Sequence, residues 1–140
     1  MGMIAVVCVD EKNGMMFHGR RQSQDRILRE NLLQECRGKQ LYMNEYSAKM
    51  FRNDVEAKIR VSEDFLCDAG EGDFCFAEDT DIGAYFQKIE SVILYRWNRR
   101  YPADVFLSLG LSDGNWRLER TEEFKGSSHE RITKEVYRKI

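Results

Sequence analysis

The sequence predicts a single α/β domain: a mixed, mostly parallel twisted sheet of about seven or eight strands with helices on both faces. Three observations predict it. Residues 4–9 (IAVVCV) and 91–95 (SVILY) are continuous apolar runs, the pattern of strands buried on both faces. Between them, helix-like and strand-like segments alternate, which calls for right-handed crossovers and parallel pairing. The final third reads mainly as strands, which suits a late antiparallel hairpin. With 140 residues, 42% of them hydrophobic, the chain is the size of one ordinary domain, here residues 1–140.

The elements follow in order. After the first strand ends at Asp10, residues 11–22 form a Gly- and Arg-containing loop. Ser23 offers an N-cap to a helix in which Ile27, Leu28, Leu32 and Cys36 recur at helical spacing, and Gly38 offers its stop. Residues 39–44 (KQLYMN) read as a second strand, and Ser47 as the cap of a short helix through Phe51. Alternation at residues 57–62 (AKIRVS) and 73–77 (DFCFA) predicts two more strands. Thr80 offers a cap to a helix carrying Ile82, Tyr85, Phe86 and Ile89 on one face. Past Pro102, residues 105–109 (VFLSL) read as a strand, and Trp116 and Leu118 alternate with charges in another that runs on toward Phe124. The tail is divided. Ile132, Val136 and Ile140 recur every fourth residue, as in a helix, whereas Thr133, Glu135 and Tyr137 suit a strand.

Several function classes are excluded by inventory. A net charge of −2 argues against a broad nucleic-acid footprint. No apolar run approaches the ~18 residues of a membrane span, and no cleavage-type segment follows residues 3–9, so a soluble cytoplasmic domain is expected. Cys8, Cys36, Cys67 and Cys75 form no C-x-x-C pair and read as small hydrophobes rather than metal ligands or disulfides. His18 and His129 are the only histidines, too few for a multi-histidine metal site. Residues 68–81 carry six carboxylates and no Lys or Arg, without the order of a calcium loop, and read as a solvated acidic loop.

The N-terminal residues resemble dihydrofolate reductase. Residues 3–10 (MIAVVCVD) followed by Gly14 and Met15 are similar to that family's opening strand and the start of its mobile loop. A helix beginning with an acid, a strand ending at Met43, and residues 58–62, 105–109 and 135–139 resemble later family elements in order. The last of these turns the reading of the tail from helix to strand. The resemblance implies a catalytic carboxylic acid at Asp25, its carboxyl raised by burial to donate a proton, with Ser108 hydrogen-bonding to it. It also implies that a ligand would be lined from the first strand, at Val7, and from the end of the central strand.

Departures from the family pattern are as informative. Where the family holds cofactor phosphates after the second strand, this chain reads Asn44-Glu45-Tyr46-Ser47, a carboxylate in place of a cation. Glu63 and Asp64 follow the third strand, and Tyr95-Arg96-Trp97 stands where the family has paired glycines. Residues 17–23 lack the expected tryptophan, residues 53–58 (NDVEAK) lack the motif of Pro-Gly followed by a basic residue, and Arg29 replaces an aromatic. No bound cofactor is therefore expected, and NADPH only if the chain is a divergent reductase using Asp25. Arg20, Arg21, Arg26, Arg29, Arg96, Arg99 and Arg100, with Tyr95, Trp97 and Tyr101, are expected to edge one cleft and bind a small anionic or pterin-like molecule. A purely structural interaction domain is the remaining alternative.

Overall fold

The computed structural model describes residues 2–52 and 57–140. Its first strand, β1 (Met3–Val9), leads into a small hairpin of β2 (Gly14–Phe17) and β3 (Arg20–Arg21), then helix α1 (Arg26–Glu35). Next come β4 (Gln40–Met43), the single turn α2 (Glu45–Ala48) with a 3₁₀ turn at Lys49–Phe51, and β5 (Lys58–Val61). The turn α3 (Phe65–Asp68) and β6 (Phe74–Phe76) precede 3₁₀ turns over Ile82–Lys88. The chain closes with β7 (Ile89–Arg96), β8 (Val105–Phe106), β9 (Trp116–Phe124) and β10 (Ile132–Lys139).

Seven strands form one sheet in the order β5-β4-β6-β1-β7-β10-β9. The first five run parallel, and β10 pairs antiparallel with both β7 and β9. β2, β3 and β8 make a separate three-stranded sheet. Alternate residues of β1 feed two cores. Ala5, Val7 and Val9 pack with Phe65, Leu66 and Ile82 on one face, while Val6 packs with Leu28 and Leu32 of α1 and with Phe76 on the other. That is why β1 and β7 are apolar without alternation: both of their faces are covered. The tail is a strand, β10, because its residues complete the sheet between β7 and β9.

Local departures from expectation have local causes. Asp25, not Ser23, caps α1, since its carboxylate accepts from Ile27 N–H at 2.9 Å and Leu28 N–H at 3.2 Å. The helix ends at Glu35, ahead of Gly38, which sits at φ +81 in the following turn. Asn44 rather than Ser47 caps α2, and Asp81 rather than Thr80 caps the segment Ile82–Lys88. The segment after Asp81 is 3₁₀, kinked at Tyr85, instead of α-helical. Residues 105–109 contribute only a two-residue strand, paired with β2 outside the main sheet. No helix among the described residues is long and apolar enough to cross a membrane.

Candidate functional site

A cleft opens beside β1 and α1, lined by Met15, Leu28, Met50, Phe76 and Trp97 among apolar residues and by Arg21 to Asp25, Arg29 and Glu78 among polar ones. Its open space is about 370 Å³, solvent included, but the enclosed part is only about 20 Å³, room for a single water.

Asp25 lies at the inner wall with its side chain fully buried. Beyond its two capping contacts, its carboxylate accepts from Ser127 N–H at 3.0 Å, Ser128 N–H at 2.9 Å, Ser128 Oγ at 3.2 Å and His129 Nδ1 at 2.9 Å. Burial alone would raise its pKa. The hydrogen bonds from Ser128, His129, Ser127 and Leu28 overcome burial and hold the carboxyl well below the usual carboxylate range. The sequence-based expectation of a raised acid is thereby reversed in sign. The packing is tight: a Cβ on Gly126 would overlap the Asp25 carboxylate, so only glycine fits there.

His129 is the residue that sequence reasoning missed. Its ring is 3% exposed, stacks on Trp97 with centroids 4.5 Å apart, and meets Ser23 Oγ at 2.9 Å and Tyr101 OH at 3.3 Å through Nε2. Nothing in the local sequence marks it, because Ser23 and Asp25 lie roughly a hundred positions away along the chain. A lone histidine behind two serines is a weak signal by itself.

Glu78 is the other buried carboxylate of the cleft, so the 68–81 segment is not uniformly solvated as expected. Arg21 holds it with two hydrogen bonds, Nε at 2.8 Å and Nη2 at 3.0 Å, and Ser47 Oγ adds a third at 2.7 Å. The Arg21 guanidinium also lies over the Tyr46 ring at 4.4 Å. Across β4, Asn44 Nδ2 donates to both oxygens of Asp79 at 3.1 Å, and the Glu63 carboxylate accepts from Glu45 N–H at 3.0 Å.

The remaining candidates scatter. Ser108 is exposed and donates to Asp81 through both Oγ and its backbone N–H, so the expected bond to Asp25 does not form. Val7 is core on the face away from α1. Tyr95 is buried with its hydroxyl donating to Asn31 at 2.6 Å, and burial pushes that phenol well above its ordinary value. Arg96 pairs with Glu135 at 2.9 Å, Arg26 with Glu30 at 2.9 Å, and Arg20 is exposed on β3. Of the predicted cluster, Arg21, Asp25, Arg29 and Trp97 meet at the cleft. The thiols are unpaired, and burial pushes Cys36 up to about 11 and Cys75 up to about 12.

No family model matches the chain, and neither does any curated protein. Among solved structures it is similar to dihydrofolate reductase from Enterococcus faecalis complexed with NADP(H) and RAB-propyl, with a TM-score of 0.67. The match covers 99% of this chain and 96% of that one at 8% identity. At so low an identity the likeness speaks to architecture alone: this chain has the dihydrofolate reductase fold.

Proposed function

We propose that the chain is a binding domain for a small anionic molecule, in which Asp25 ties the structure together instead of donating a proton. One observation carries this reading: six donors converge on the Asp25 carboxylate. A carboxylate offers about four lone-pair directions, so none is left for a heterocyclic ligand. The positive end of the cleft is Arg29, which donates to Gln24 Oε1 at 3.3 Å and has no carboxylate partner among the described residues. Gln22 lines the same cleft, and its Oε1 is buried without a partner while its Nε2 donates to Asp10. A ligand combining a carboxylate or phosphate with a hydrogen-bond donor would meet both needs.

The structural neighbour's complex with NADP(H) favours the second reading, a reductase using Asp25. The residues present do not fit that cofactor in the family manner. Glu45, Glu63 and Asp79 crowd the turn after β4, and Glu63 already accepts the N–H that a phosphate would need. Losing two phosphate contacts of about 1.5–3 kcal/mol each weakens affinity by orders of magnitude.

Calorimetric titration with inorganic phosphate, succinate and NADPH separates the two. Saturable binding of phosphate or succinate that Arg29→Gln removes is expected, with no turnover of dihydrofolate. NADPH oxidation that depends on dihydrofolate and is lost in Asp25→Asn would overturn the proposal.

A further inference from the structure

We infer that Ser23, His129 and Asp25 form a nucleophile–base–orienter relay that hydrolyses short-chain carboxylic esters. Ser23 Oγ stands 2.9 Å from His129 Nε2, and His129 Nδ1 stands 2.9 Å from Asp25 Oδ2. A hydroxyl on one ring nitrogen and a buried carboxylate on the other is the arrangement by which a serine is activated, whatever the fold that carries it. The tautomer follows from the partners. An ionised Asp25 can only accept, so Nδ1 carries the proton and Nε2 is left to accept from a hydroxyl.

The three members differ in exposure as their roles require. Asp25 and His129 are buried, and the imidazole is clamped against Trp97. Ser23 is half-buried and lines the cleft. Tyr101 OH is the competing donor to Nε2, but at 3.3 Å it is the longer contact. Anchoring the 126–129 segment needs the link between Asp25 and His129. It does not need Ser23, since Asp25 already caps α1.

The reaction balances without any co-reactant but water. Ser23 Oγ attacks the ester carbonyl and gives its proton to His129 Nε2. Arg29, lining the same cleft, supplies positive charge for the developing oxyanion. Collapse breaks the ester C–O bond, and the alcohol leaves with the proton from Nε2. Water repeats the sequence on the acyl-serine and releases the carboxylic acid. The open part of the cleft and its apolar wall of Met15, Leu28 and Phe76 suit acetyl or propionyl groups. This inference stands apart from the ligand class proposed above, so an empty anion titration leaves it intact.

The test is labelling with a fluorophosphonate, read by intact mass and peptide mapping, alongside p-nitrophenyl acetate hydrolysis. One adduct per chain on Ser23 is expected, absent in Ser23→Ala and unchanged in Ser112→Ala, a remote exposed serine. His129→Gln, with its fold checked by circular dichroism, should slow labelling by about 100-fold or more. No adduct on Ser23, or a Ser23 adduct formed as fast in His129→Gln, overturns the relay. Should that variant not fold, the pH profile of wild-type labelling decides. Among the described residues the groups facing the imidazole are Asp25, Ser23, Tyr101 and Ser128, of which Asp25 alone is charged. A labelling rate that falls toward acid supports the relay, and a flat rate between about pH 5 and 8 contradicts it.

Discussion

Asp25 and Glu78 are both buried carboxylates in the wall of one cleft, yet they are held in different ways. Glu78 faces a guanidinium and a hydroxyl, Arg21 and Ser47, in a pair that keeps some contact with water. Asp25 faces backbone N–H groups and an imidazole delivered by residues 126–129, which bind it to a segment far away in the chain. An ion pair that loses one partner leaves a charge able to find another. A carboxylate that loses its place at a helix N-terminus strands several buried N–H groups at once. Asp25 is thus the more structural of the two carboxylates, and Arg21 beside Glu78 the more adaptable partner.

The sharpest way to break that contrast is Asp25→Ala. It should cost about 3 kcal/mol in urea denaturation, combining a lost cap with orphaned donors. Glu78→Gln should cost less, about 1–2 kcal/mol, because Arg21 remains partly solvated. It should also tighten phosphate binding by releasing the guanidinium, which titration of the variant checks. Acid provides a third handle. The folded-state pKa of Asp25 is depressed, so its contribution is fully present above the unfolded value of about 3.9 and fades as pH falls below it. Asp10, Asp81 and Glu35 are depressed as well and add the same sign, so melting temperature should be level near neutrality and drop below about pH 4. Smallest of all, Ser108→Ala should stay within about 0.5 kcal/mol and leave the Asp25 contacts untouched.

How much was legible in the sequence follows the same divide. β1 and β7 were readable because double burial writes itself as an unbroken apolar run, and their parallel pairing because helix-like and strand-like segments alternate between them. The tail was ambiguous on local pattern, since Ile132 and Val136 suit either period. Its pairing with β7 and β9 settled it. Caps were misplaced by one to three residues where several candidates stood together, as with Ser23 and Asp25. The cleft itself was half legible. Asp25 was named because it stands where the resembled family places its acid. Arg21, Arg29 and Trp97 were named because that fold brings the loop before the first helix and the end of the central strand to one cleft edge. His129 and Glu78 were not, because their roles arise from contacts 104 and 57 positions distant. No periodicity encodes such contacts.

Titration of the Asp25 carboxyl carbon by NMR, with Asp25→Asn assigning the resonance, reads its protonation state directly. The expected result is an anion that shows no titration from neutrality down to about pH 3, held so by its donors. A carboxyl that instead took up its proton above about pH 5 would mean an acid poised for transfer and would contradict the structural role assigned to it.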